Sequence, residues 1–347
     1  MKRVRKSLRR HLLLLLLSAS LGMPAIAENL LRDGHPERYT VVKGDTLWDI
    51  SGRFLRNPWR WPDIWYVNPQ IRNPHLIYPG DTLELVYIDG KPQLRLSRGP
   101  RHVKLSPGIR SEPWDGAIPT VPVDAIATFL TRPYVLNEGE AEASPYIVSF
   151  ADKHIVGGAG QKAYVRSISD NGAKFHVVRP GEAYRDAQSG ELLGYEAAYI
   201  GSVESLRSGD PGTVFFNKTE RESLIGDRLV SISVERPWTN FTPKRPNGDI
   251  EGSIISVLDG VSQIGQYDVV VIDRGERDGL TAGDVLRIDQ RGETIRDTVT
   301  RNSRDTVTLP DEKAGLMMVF RTFERVSFGL VMNATNAIHV LDRVRTP

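Results

Sequence analysis

The chain has 347 residues with 45 basic and 43 acidic side chains, seven histidines and no cysteine. Without a thiol it has no disulfide framework, lipidated N-terminal cysteine, thiolate nucleophile or thiolate metal site. The net charge of +2 comes from the first 27 residues; the remaining 320 hold 39 basic against 43 acidic residues, net −4, so the pI near 8.7 is no nucleic-acid footprint.

Six basic residues between Lys2 and Arg10 precede an apolar run from Leu12 to about Leu21 and the small-residue ending Ala25-Ile26-Ala27. This pattern predicts an export signal cleaved before Glu28. The run is too short to span a bilayer comfortably, which favours removal over anchoring. The residues around Arg9-Arg10 fit the general export route better than the twin-arginine one. No second hydrophobic segment of membrane length follows, so the processed chain is expected to be soluble, with length for two or three domains.

From Arg38 to Val42 the residues predict a short strand, and Lys43-Gly44-Asp45 a turn. Thr46 with Asp49 three positions later reads as a helix cap, and Leu47, Ile50 and Phe54 recur at helical spacing, which predicts a helix over 46–54. A second helix is expected from Pro62 to Asn68, stopped by Pro69. Pro79-Gly80-Asp81 then turns the chain into a strand over 82–85. The unit spans 38–86.

Residues 87–122, rich in Pro, Gly and Arg, read as an ordered connection, and 124–130 as one further helix. A β-rich domain is expected over 123–236, with strands at 146–150, 162–166, 174–179, 194–203, 213–217 and 228–234. Pro237 to Asp249 reads as a linker. A second β-rich domain over 250–345 has strands expected at 253–258, 267–273, 284–289, 306–309, 315–323 and 328–332. Many short strands of period two imply small barrels or sandwiches rather than a wound α/β sheet. Gly80-Asp81, Gly226-Asp227 and Gly283-Asp284 each stand immediately before an apolar strand, which is read as a reused turn and not as a true repeat.

The segment Tyr39-Thr40-Val41-Val42-Lys43-Gly44-Asp45-Thr46-Leu47-Trp48-Asp49-Ile50, completed by Val67-Asn68-Pro69, Leu76-Ile77-Tyr78-Pro79-Gly80-Asp81 and Leu83, resembles the LysM family. The resemblance covers 38 to about 86 and implies a βααβ module that binds N-acetylglucosamine-containing glycans. In an exported bacterial protein that glycan is peptidoglycan, which implies a periplasmic, wall-bound location near the outer membrane. It also implies a shallow sugar groove between two loops, Gly44, Asp45, Thr46 and Leu47 on one side and Leu76, Ile77, Tyr78 and Pro79 on the other. Backbone groups in such turns suit acetamido N–H and C=O groups, while Leu47, Ile77 and Tyr78 suit the acetyl methyl and pyranose faces. Gly44 is expected to act through its backbone, and Asp45 equally as a turn or cap residue.

Family members usually carry small or aliphatic residues around the second helix, whereas here four of the six tryptophans lie between 48 and 65. Trp48 and Trp65 are expected to fill the core of a small module, and Trp59 and Trp61 to form an exposed platform for sugar or protein.

Farther on, Val271-Ile272-Asp273-Arg274-Gly275, Asp278-Gly279-Leu280, Ala282-Gly283-Asp284-Val285-Leu286 and Gly315-Leu316-Met317-Met318-Val319-Phe320 look like the C-terminal region of a flagellar periplasmic basal-body protein. Export signal, single LysM module and this β-rich region together are similar to the TsaP family, the secretin-associated proteins of type IV pili. That similarity implies an outer-membrane secretin as partner, self-association around its ring, and attachment of the ring to the wall. A general wall-bound organiser of a flagellar or other envelope assembly is the alternative.

Catalysis finds little support in the residues. The histidines form no His-Glu-x-x-His or other close ligand cluster, and no Gly-x-Ser-x-Gly or Ser-x-x-Lys follows the signal. Acidic pairs such as Asp273 with Glu276 and Glu140 with Glu142 sit in charged, turn-like surroundings, unlike an acid of raised pKa facing a base. A non-catalytic protein without metal or cofactor is expected, with a peptidoglycan-remodelling enzyme as the weaker reading.

Overall fold

The computed structural model describes residues 30–65, 77–97, 118–130, 135–137, 139–169, 171–232, 241–258, 263–299 and 305–347. The expected export signal, the end of the second expected helix at 66–68, and 237–240 of the expected linker lie outside these residues. The architecture is multidomain, a small N-terminal module followed by mainly β domains that include a six-stranded barrel. No helix among the described residues is long and apolar enough to cross a membrane.

In the module, strand β1 (Arg38–Thr40) pairs antiparallel with β2 (Thr82–Ile88). Helix α1 (Leu47–Phe54) and the single turn α2 (Trp61–Ile64) lie between them in sequence. A third strand, β3 (Lys91–Ser97), pairs with β2 along its whole length. This strand lies in the stretch expected as an ordered connection. Its signal is Asp89-Gly90, both at positive φ, a pair that closes a two-residue hairpin whose twist matches its strands. Leu47, Ile50, Phe54, Trp61, Ile64, Ile77, Leu83 and Leu94 form the module's core.

Helix α3 (Val123–Leu130) follows, then strands β4 (Val135–Leu136), β5 (Tyr146–Phe150), β6 (Lys162–Arg166), β7 (Lys174–Arg185), β8 (Leu192–Arg207), β9 (Gly212–Thr219) and β10 (Arg228–Ser231), with the single turn α4 (Glu140–Ala143) before β5. Their order is β4-β8-β7-β10-β5-β6-β9, and β9 also pairs with β8, so the sheet curls back on itself around Ile147, Val165, Val177, Val203 and Phe216.

The last domain is a closed antiparallel barrel of β11 (Glu251–Val257), β12 (Val269–Ile272), β13 (Val285–Gln290), β16 (Glu312–Thr322), β17 (Ser327–Ala334) and β18 (Arg343–Arg345). A small exposed hairpin, β14 (Thr294–Arg296) with β15 (Thr306–Thr308), stands between β13 and β16. Successive side chains of a strand face opposite sides. On β16, Met317 and Val319 enter the barrel interior with Ile254, Ile272 and Ile288, whereas Leu316, Met318 and Phe320 face outward.

Those outward residues are nonetheless buried, which is why 314–320 is an unbroken apolar run rather than an alternating one. Their cover comes from four distant segments: Trp48 of α1, Val121 with Ile126 and Phe129 at α3, Tyr184 and Leu193 on the β7–β8 hairpin, and Phe241. The C-terminal part of the expected linker is thus packed onto the barrel, and Lys244 exchanges backbone hydrogen bonds with Gly283 and Val285. The Tyr267 hydroxyl also donates to Asp49 at 3.3 Å, tying barrel to module.

One turn, with positive φ at the residue before its closing aspartate, recurs six times among the described residues, ending at Asp45, Asp81, Asp227, Asp268, Asp284 and Asp342. In each, the aspartate N–H donates to the carbonyl three residues back, whose own N–H donates to the aspartate carboxylate at 2.7–3.1 Å. The preceding residue has positive φ: Gly44, Gly80, Gly226 and Gly283, but Tyr267 and Leu341 in the other two. Five of the six then clip to a neighbouring segment by a two-way backbone pair, at Val41 just past β1 and at Ile147, Val331, Val319 and Ile254 within strands. The three Gly-Asp pairs read from the sequence as a reused turn, Gly80-Asp81, Gly226-Asp227 and Gly283-Asp284, are three of these turns, and Gly44-Asp45 is a fourth.

Candidate functional site

The two loops singled out in the sequence are brought side by side by this shared device. Gly80 donates to the Val41 carbonyl, and Val41 donates to the Asp81 carbonyl, both at 2.8 Å, so the turn ending at Asp45 starts beside the one ending at Asp81. Gly44, at φ +94°, is exposed at the rim.

Asp45 is 8 % exposed, and its carboxylate is consumed within the module, accepting the Val42 N–H at 2.9 Å and the Tyr39 hydroxyl at 3.0 Å. Burial and this bond to an anion raise the Tyr39 phenol pKa, so Tyr39 stays a donor. Thr46 is the N-cap of α1: its Oγ1 accepts the Asp49 N–H at 3.1 Å and donates to the Asp49 carboxylate at 2.7 Å.

Three expected contact residues require correction. Leu47 and Ile77 are 1 % and 0 % exposed inside the module core, so their side chains cannot line a sugar face in this arrangement. A module this small has few apolar residues to spare, and core formation takes them first. Trp61 is no exposed platform either: it is 2 % exposed and stands edge-on to Trp65, with centroids 5.8 Å apart. What remains at the rim is Gly44 and the half-buried Tyr78 and Pro79, while Leu76 lies outside the described residues.

Trp48 is buried, but against the barrel's outer face rather than in the module's own core; Trp65 packs on the module core. Trp59 is half-buried against the same barrel-side cluster, and its indole N–H meets no acceptor among the described residues. It lines a cleft of about 450 Å³ shared by Arg60 and Asp63 of the module, Arg245 of the linker, and Arg287 and Lys313 of the barrel.

The floor between the two loops is occupied by the chain itself. Ile118 donates to the Ile77 carbonyl at 2.8 Å, while Leu47 and Trp48 donate to the carbonyls of Pro119 and Thr120 at 3.0 and 3.1 Å. The two amides that lack intrahelical partners at the start of α1 are thereby satisfied by residues some seventy positions away. Backbone pairing of an extended Ile-Pro-Thr-Val segment leaves no side-chain pattern of its own, so this crossing is not legible in the sequence.

Among the described residues no group of three or more His, Asp or Glu is placed to hold a metal ion. Residues 39–85 match the LysM domain family. A stretch of 60 residues is 43 % identical to the uncharacterized protein YqbP of Bacillus subtilis (strain 168), covering 14 % of this chain and 27 % of that protein. The chain thus spans about a quarter of the length of this relative.

Proposed function

We propose that the chain is a non-catalytic, cell-wall-associated protein of the periplasm that binds N-acetylglucosamine-containing glycan of peptidoglycan through the module at 39–85. The observation that carries this reading is the LysM match over both loop motifs, whose turns stand side by side in the fold. Backbone groups of Gly44 to Leu47 and of Ile77 to Pro79 make the sugar contacts, since the side chains of Leu47 and Ile77 belong to the core. Tyr78 and Pro79 supply the apolar surface.

Within the same proposal, the β-rich remainder attaches an outer-membrane secretin ring to the wall, with several copies round the ring. Each wall contact is then individually weak and durable by number. What supports this part is the resemblance read from the sequence motifs at 271–275, 278–280, 282–286 and 315–320 together with the single LysM module.

The test combines sedimentation of purified protein with isolated sacculi and recovery of a tagged copy from envelopes after enzymatic wall digestion. Pelleting together with near-stoichiometric secretin is the expected result. Pelleting without a secretin assigns the chain to another envelope assembly, and failure to pellet removes the wall-binding reading.

A further inference from the structure

The crossing at 118–121 places a peptide where the proposed reading places a sugar. We propose that Ile118-Pro119-Thr120-Val121 is a built-in competitor that holds the groove shut, so that glycan binds only when this segment leaves. The inference rests on the glycan reading of the groove and adds its regulation.

The chemistry of the competition is direct. An N-acetyl group is a secondary amide with one N–H and one C=O, as is a peptide unit. In the closed groove the carbonyls of Pro119 and Thr120 receive the free amides of Leu47 and Trp48, and the Ile118 N–H meets the Ile77 carbonyl. An acetamido group needs those same donors and that acceptor. The segment is also held by its side chains: Ile118, Thr120 and Val121 are 5 %, 1 % and 0 % exposed, so peptide and sugar cannot share the site.

Its two ends are anchored in different bodies. Ile118 packs in the module core, while Val121 belongs to the cluster that joins Ile126 and Phe129 of α3 to the barrel's outer face. Release of the segment is therefore linked to loosening of α3 from the barrel, where Arg321 donates to the Phe129 carbonyl at 2.9 Å. A partner that pulls α3 from the barrel raises glycan affinity, and by reciprocity bound glycan loosens α3.

The experiment uses the full chain and a pentamer of N-acetylglucosamine, titrated by calorimetry into wild type and Ile118→Gly. Amide hydrogen exchange of Leu47 and Trp48 is followed in both, and that of Ile118 in the wild type. The expected result is binding tighter by about tenfold or more in the variant, because the apparent affinity of a self-occupied site scales with its open fraction. Leu47 and Trp48 are expected to lose protection in the unliganded variant.

Equal affinity in the two proteins, with Leu47 and Trp48 exposed in the variant, overturns the competition and leaves the glycan reading standing. No binding by either protein, with the groove open in the variant, overturns the glycan reading and the competition with it. A wild-type measurement guards against a variant that does not fold. Saturating pentamer is expected to raise Ile118 exchange as sugar displaces the segment, and full retention of Ile118 protection in the bound state overturns the proposal.

Discussion

Asp227 shows how much one side chain does in these turns. It is 2 % exposed and accepts from the Leu224 N–H at 2.7 Å, the Ser223 hydroxyl at 3.1 Å and the Arg179 guanidinium at 2.8 and 3.0 Å. Asp227→Ala takes the acceptor from all of these donors, and because the Arg179 side chain is itself 36 % exposed and reaches water, the expected loss is about 1–3 kcal/mol, read from the urea midpoint. Leu341 presents the opposite case. Its φ of +76° is strained for a residue with a Cβ, and its side chain is 47 % exposed, so little burial is lost on truncation. Leu341→Gly relieves roughly 1–2 kcal/mol of strain at about 0.5–1 kcal/mol of added backbone freedom, which predicts a small rise in melting temperature.

At the scale of the element, β8 lies so close to β9 that a Cβ at Gly201 would sit 2.3 Å from the Lys218 carbonyl oxygen, a backbone atom that cannot step aside. Gly201→Ala is expected to cost about 1–3 kcal/mol, checked by denaturant unfolding. At Gly329 the clash is with the flexible end of Met317, and the cost is expected to be smaller. Alternation made most strands legible in the sequence, and the paired loop motifs made the module legible. The covering of the barrel was not, because Leu316, Met318 and Phe320 share one buried cluster with Trp48, Tyr184 and Phe241, and no local pattern announces a partner so far along the chain. The candidate site was legible only in part: Gly44, Asp45 and Thr46 were placed through turn chemistry, but apolar Leu47 and Ile77 serve core or surface equally well until the fold decides.

Across the whole molecule, the tip of the β7–β8 hairpin is fastened to the barrel by charge. Arg274 pairs with Asp186 at 2.9 Å and with the buried Asp273 at 3.2 Å, while Arg277 and Arg325 share Glu191. The Ser189 amide, helped by Gln188 and Arg274 against the effect of burial, holds the Asp186 carboxyl far below the usual range; burial raises that of Asp273. The signs oppose. Asp186 contributes stability above the unfolded carboxylate value near 3.9 that is lost as pH falls through its lower folded value, whereas charged Asp273 is a cost that protonation relieves. Asp186→Asn is expected to destabilise the chain by about 2 kcal/mol at pH 7, a difference that shrinks at strongly acid pH in urea unfolding. A segment of this chain also closes the module's groove, and a tryptophan of the module closes the barrel's outer face. Small glycan modules are natural cassettes for grafting between proteins, and this one is not portable: cut out at residue 97, it leaves with the Leu47 and Trp48 amides uncapped and Trp48 bare, and the barrel keeps an oily scar where it sat.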